Sequence, residues 1–367
     1  MGVLAGKIKS NPGRSLKCNS EHGTENRAVT MTQIRVISDR MDRGLRALGR
    51  ASRLAVAAAG VLVLGLTLNG CDKIQEAAQK MQPGKAALDS MIPPGLSPQF
   101  FPPDGFVWGA YRPGSLPEVR YGVASPPVNP KAQVLILADP AYPAEVYFLP
   151  ARQLVDAGYG VWLLEVPGQG GAGRYLLQPD AIYSPNWRDG QIAASDFIRD
   201  IVKPAPDKPL VIVGSGFSAI NALGLSGVDH DPNILGYVGF DPYLGGPIAR
   251  GQAWHANDVP GTYWGNIAQS WQGANPNLRL RVKSDVWQRQ MTEAFNDLEG
   301  PRLPEMGNQP HAQVLVLEPK TGLTADANAA SKLCAHVAHC TMVPSSGPEQ
   351  MGTTVAGFVD EVLPKAK

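Results

Sequence analysis

From Leu210 the chain runs Val211-Ile212-Val213-Gly214-Ser215-Gly216-Phe217-Ser218-Ala219, and no other passage constrains the fold so much. An apolar run without alternation reads as a strand buried on both faces, which requires a sheet covered by helices on each side. Gly214 and Gly216 then allow a sharp turn with positive φ, and an apolar helical pattern continues to about Leu225 with no linker. A strand that turns at once into a helix is half of a βαβ unit, so its neighbours in the sheet run parallel to it.

The remainder alternates in the same way. Phe106 to Tyr111 and Val119 to Ala124 suit a first hairpin. The run Gln133 to Ala138, a helical pattern from Ala144 to Ala157, the strand Gly160 to Val166 and a helix from Gly190 to Val202 lead to Leu210. Ile234 to Phe240 is a further strand. A Trp-rich stretch at about 243–302 interrupts the alternation and reads as a cap over the carboxyl ends of the strands. Val314 to Leu317, Ala325 to Val337, Thr341 to Val343 and Thr353 to Leu363 complete the pattern. The expected class is α/β, a mostly parallel sheet with helices on both faces and a cap insertion. With 44% hydrophobic and 18% charged residues, 40 Gly and 33 Pro, the chain is globular and rich in turns, not disordered or coiled-coil.

The formal net charge of +1 hides an asymmetry. Residues 1–70 carry 11 Lys or Arg against 4 Asp or Glu, and the rest is acidic by 6 charges, which leaves no basic surface for nucleic acid. Arg43, Arg46, Arg50 and Arg53 precede the apolar run Leu54 to Leu68, the pattern of a secretory signal over 41–70. Its end, Leu68-Asn69-Gly70-Cys71, resembles a bacterial lipobox, and the resemblance implies a diacylglyceryl group on Cys71, cleavage before it and acylation, with palmitate for example, of the new terminus. The alternative is a single membrane-spanning anchor, for which the run is short of the roughly 20 apolar residues needed. Asp72 resembles an inner-membrane retention signal, so the expected location is the periplasmic face of the inner membrane. Residues 1–40 read as an overextended gene start, 71–103 as a lipidated Pro-rich stalk and 104–367 as the folded domain.

The stretch Leu154-Val155-Asp156-Ala157-Gly158-Tyr159-Gly160-Val161-Trp162-Leu163-Leu164-Glu165-Val166-Pro167-Gly168-Gln169-Gly170 resembles a segment of α/β-hydrolases of the lysophospholipase and monoglyceride-lipase type. Glu165 stands in place of that family's Asp and Pro167 in place of its Arg. The resemblance, from about Ala132 to the C-terminus, implies an α/β-hydrolase fold and places the nucleophile at Gly216, the acid at or near Gly322 and the base near Gln350. A serine nucleophile needs an imidazole to take its proton and a carboxylate to orient that imidazole. None of the three positions carries the required group, and no histidine follows His339. Candidates for rescue are Ser215 and Ser218 beside the apex, Asp241 at a strand end, and His255 in the cap, with His311 before a strand. Turn, cap and surface roles are the competing reading of each. Asp229-His230-Asp231 lacks a fourth ligand and reads as a solvated loop, so no metal is expected.

Two further readings stay open. Gly214-x-Gly216-x-x-Ala219 between a strand and a helix also fits a dinucleotide fingerprint, with Asp241 near the place of a ribose-binding acid, although here parallel strands precede the turn. The expected function is therefore a membrane-anchored α/β-hydrolase-fold lipoprotein, catalytically inactive and without cofactor, that binds a lipid-like ligand or an envelope protein; an active serine hydrolase or a dinucleotide-binding protein are the alternatives. Trp254, Trp264 and Trp271, with Tyr263, either line a ligand pocket under the cap or pack its core. Cys334 and Cys340, the only cysteines after Cys71, form a disulfide in an oxidising compartment or remain buried thiols.

Overall fold

Alternate residues of the central strands face opposite apolar layers, and both layers are closed. The computed structural model describes residues 85–176, 181–229, 231–242, 261–279, 282–299, 313–318, 340–344 and 347–364, all within the unit Ala78–Lys367. Strands β3 (Gln133–Leu137) and β6 (Leu210–Ser215) are buried at every position. Val134, Ile136, Val211 and Val213 belong to one cluster, and Leu135, Leu137, Leu210 and Ile212 to the other. Two buried faces explain why the sequence shows continuous apolar runs there.

Around these two strands lie β1 (Val107–Tyr111), β2 (Val119–Ala124), β4 (Gly160–Glu165), β7 (Ile234–Phe240), β9 (Gln313–Glu318) and β10 (Cys340–Pro344). The sheet order is β1-β2-β4-β3-β6-β7-β9-β10. β2 is antiparallel to β1 and to β4, and the other neighbours are parallel. A separate pair joins β5 (Ala181–Ile182) to β8 (Val282–Lys283). The expected α/β-hydrolase sheet is present, with the hairpin at one edge.

Helix α1 (Phe148–Asp156) lies with α6 (Met351–Val362) on one face, through Phe148, Leu154, Val355 and Phe358. On the other face are α2 (Arg188–Phe197) and α3 (Ser218–Leu225), through Phe197, Ile220 and Leu223. The stretch expected to form a cap contains two described helices, α4 (Tyr263–Ala274) and α5 (Asp285–Glu299), and each is a core element. Ile267, Ala268 and Trp271 of α4 join the α1 and α6 layer, whereas Trp287, Met291 and Ala294 of α5 join the α2 and α3 layer. Spacings of three and four residues mark a helix face turned to the core, so these positions carry a packing signal that the tryptophan content alone conceals. Residues 243–260, 280–281 and 300–302 of the same stretch lie outside the described residues.

The segment from Lys85 to Pro103, read as stalk from its prolines, lies along the domain. Ala87 N donates to Gly171 O at 2.7 Å, and Arg152 donates to the carbonyls of Phe101 and Pro102. Pro93 is buried, and Leu96 and Phe100 pack on the core. Proline density opposes helix and strand but not docking, because side chains such as Asn275 and Arg152 supply the backbone partners. Among the described residues no helix is long and apolar enough to cross a membrane. The signal segment, Cys71 and Cys334 lie outside the described residues, while Cys340 opens β10 in register with Val314.

Candidate functional site at the strand–helix turn

Gly214 to Ser218 turn the chain from β6 into α3. Gly216 sits at the apex with φ +56°, a conformation that glycine reaches without strain. A β-carbon built on Gly216 would lie 1.9 Å from Asp139 Oδ2 and 2.6 Å from Asp139 Cγ. The carboxylate of Asp139 therefore stands where the side chain of a nucleophile would begin. Gly214 has a different reason: its β-carbon would meet Ser218 O at 2.2 Å and Ala219 Cα at 2.6 Å, so the first turn of α3 rests directly on the strand.

Asp139 lies two residues past the end of β3, and the loop around it is closed on itself. Its Oδ1 accepts from Ala141 N at 2.9 Å, and its own amide donates to Tyr147 Oη at 3.0 Å. Pro140 has no N–H, and Tyr142 N donates to Asp139 O at 3.0 Å. An α/β-hydrolase draws one oxyanion-hole amide from this loop and the other from the residue after the nucleophile. Here each amide from Asp139 to Tyr142 is engaged or missing. A negative charge this close to the apex opposes the build-up of an oxyanion beside it.

The surrounding side chains hold this arrangement. Tyr147 is completely buried, and burial, with Asp139 beside it, holds its phenol well above the ordinary range. The Ser215 hydroxyl hydrogen-bonds the same phenol oxygen. Tyr142, raised by burial and then by Asp139, hydrogen-bonds Thr262, whose Oγ1 caps α4 by accepting from Gly265 N at 3.1 Å. Ser218 is fully buried and its Oγ donates to Ala138 O at 2.6 Å. Of the two serines named as rescue nucleophiles, Ser218 is thus tied to the end of β3 and Ser215 faces Tyr147.

The glycine-rich segment after β4 also encloses a carboxylate. Glu165 accepts from Ala144 N and from Gly171 N, each at 2.7 Å, and a β-carbon on Gly170 (φ +51°) would lie 2.1 Å from Glu165 Oε1. Arg120 of β2 reaches Glu145 at 2.6 Å and Glu165 at 3.4 Å, and its guanidinium stacks 3.5 Å over the Trp108 ring. Burial pushes the Glu165 carboxyl up, against the pull of Arg120. The guanidinium that meets Glu165 thus comes from β2.

The hollow beside the turn is small. Pro140, Gln169, Trp187, Phe217, Asn221 and Met291 line a cavity of about 10 Å³, the room of one water molecule. Gln169 is 5% exposed and its Oε1 has no hydrogen-bond partner among the described residues. A larger groove, about 420 Å³, lies at the amino ends of the strands between the loop 125–130, Gln133, Trp162 and Lys208.

Of the other expected site residues, Trp271 is 1% exposed and packs 5.4 Å from Phe148, so it belongs to the core and not to a pocket. Trp264 is half-buried against Tyr147 and Tyr263, 5.3 Å and 5.1 Å between ring centres. Asp241 follows β7 directly, with φ +42°. Gln350 is exposed and accepts from Thr353 through its carbonyl and side chain. Gly322, His255, Trp254, His230 and His311 lie outside the described residues. An anion against Gly216 also opposes a pyrophosphate at the start of α3, which removes support from the dinucleotide reading. Among the described residues no group of three or more His, Cys, Asp or Glu could hold a metal. Sequence reasoning missed Asp139, although Asp139-Pro140 after the first buried strand was a signal, since that loop should offer an amide.

No family model and no curated protein matches the chain. Solved structures do. A monoglyceride lipase from Saccharomyces cerevisiae, in complex with a substrate analog, aligns with TM-score 0.55 at 12% identity over 75% of this chain and 100% of the lipase. A thermostable carboxyl esterase from Bacillus coagulans, in complex with glycerol, aligns with TM-score 0.52 at 11% identity over 71% of this chain and 99% of the esterase. The domain has the α/β-hydrolase fold.

Proposed function

We propose that this protein is a lipid-anchored, extracytoplasmic α/β-hydrolase-fold protein that has no ester hydrolase activity and acts by binding at the cell envelope. One observation carries the reading. The nucleophile position is Gly216, and the space of its absent side chain is filled by the Asp139 carboxylate. Without the triad only oxyanion stabilisation and binding could accelerate hydrolysis, and the loop amides that would contribute are engaged in the fold. The anchor rests on the basic and apolar run before Cys71, and Asp72 supports the periplasmic face of the inner membrane. The hollow lined by Gln169, Trp187 and Phe217 has room for one water and not for an acyl chain.

The test is a serine-reactive fluorophosphonate probe applied to the mature protein, together with hydrolysis of short and long acyl esters. The expected outcome is no labelling and no turnover above background. Stoichiometric labelling at Ser215 or Ser218 would establish the alternative, an active hydrolase with relocated residues.

A further inference from the structure

Three of the large apolar side chains exposed on the described surface lie within five residues: Leu88, Met91 and Ile92 are 45%, 64% and 41% exposed. The remaining exposed ones occur singly along the chain. Single exposed apolar residues are ordinary, but three within five positions concentrate apolar surface in one short segment, as interaction surfaces do. This group is also held in place. Ala87 N is bonded to Gly171 O, and the Asn275 side chain grips both backbone groups of Met91, accepting from its N at 2.6 Å and donating to its O at 2.9 Å. Asn275 is itself 5% exposed and donates to Trp271 O at the end of α4. Beyond Ile92, buried Pro93 and the turn closed by Leu96 N on Pro93 O fix the exit. A backbone clamped on both sides keeps the three side chains from turning under the surface.

We propose that this ridge is a contact with the lipid bilayer. The inference rests on the lipid-anchor reading and deepens it. Lys85 is fourteen residues past Cys71, a tether of at most about 50 Å fully extended, and the ridge begins three residues further on. A surface tethered so closely meets the bilayer at high effective concentration, so a shallow apolar contact is enough to engage. Lys85 and Arg112 flank it but both converge on Glu118, at 2.8 Å and 3.2 Å, and Asp89 is exposed within the ridge. The contact is therefore apolar and not driven by lipid charge. Through Asn275 the ridge is fixed to the C-terminal end of α4.

The experiment uses the full lipidated protein in phosphatidylethanolamine–phosphatidylglycerol vesicles doped with a phosphatidylcholine that carries a diazirine on its acyl chain. After irradiation, lipid adducts are expected on the tryptic peptide 86–120, and they are expected to fall several-fold in the triple variant Leu88→Ser, Met91→Ser, Ile92→Ser, whose melting temperature stays that of the parent. Adducts confined to the lipidated N-terminal peptide overturn the ridge while leaving the anchor in place. Adducts on 86–120 that persist undiminished in the triple variant also overturn it. Protein that stays off the vesicles, with no adducts at all, overturns anchor and ridge together.

Discussion

Replacing Gly216 by alanine adds one methyl group, and the structure says where that methyl would go. It would lie 1.9 Å from Asp139 Oδ2, so the carboxylate must rotate away. A left-handed φ of +56° costs a residue with a β-carbon about 1–2 kcal/mol, and loss of the carboxylate's bond from Ala141 N costs about 1.5–3 kcal/mol. The variant should be destabilised by about 3 kcal/mol, or roughly 6–12 °C in Tm at 2–4 °C per kcal/mol. In an Asp139→Ala background the steric conflict is gone, and the same change should cost only the backbone strain, about 1 kcal/mol. Urea denaturation of the two single variants and the double variant gives the coupling, expected near 2 kcal/mol. Costs that add to within about 0.5 kcal/mol, the mark of independent sites, would refute the claim that Asp139 fills the apex. Gly216→Ser should behave like the alanine variant and remain unlabelled by a fluorophosphonate in either background, since the serine gains no imidazole.

Arg120→Met leaves Glu145 and Glu165 buried together, and breaking a buried ion pair in this way should cost about 3–5 kcal/mol at pH 8. Because the Glu165 carboxyl is already pushed up by burial, the folded state holds its proton above the ordinary pKa of about 4.3. Its contribution is therefore full in acid and is lost as pH rises from that value through the raised one. Removing Arg120 raises the carboxyl further, so the deficit should shrink between pH 8 and pH 5; urea denaturation across this range checks it, and a constant deficit counts against the buried cluster. Cys71→Ser should accumulate as unprocessed precursor, and metabolic labelling with a palmitate analogue that persists in this variant would rule out lipidation at Cys71. Cys334 and Cys340 should resist alkylation in denatured, unreduced protein, with the short loop stabilising the fold by about 2 kcal/mol; two modified thiols in protein from its native compartment would show that the bond is absent.

The sheet was legible because its signal is local. Runs such as Gln133 to Leu137 and Leu210 to Ser215 are apolar on both faces, and period, length and order sufficed to place them. The site was half legible. Gly216 could be read from the turn, but Asp139 lies 77 positions earlier, and nothing local to either residue reports that their strands are neighbours with β3 paired to β6. The strap at 85–103 escaped for a related reason, since its partners Asn275 and Arg152 come from distant helices. In α4 and α5 the tryptophans suggested a lid, whereas the spacing of Ile267, Ala268 and Trp271 and of Trp287, Met291 and Ala294 pointed to the core.

The turn keeps its shape with glycine at the apex for a structural reason. The positive φ at position 216 is imposed by the passage from β6 into α3, where Gly214 lets the helix rest on the strand, and that geometry is needed whatever side chain stands at the apex. In an enzyme a serine there carries backbone strain of about 1–3 kcal/mol as part of the site. Glycine carries none, and it leaves the space of a side chain open. Asp139 fills that space and takes its hydrogen bond from Ala141, while Tyr147, Ser215 and Ser218 tie the adjacent backbone. On the proposed reading, the contacts that stabilise this turn are the ones that keep chemistry from it, and placing a serine at 216 without moving Asp139 should lose stability and gain no chemistry.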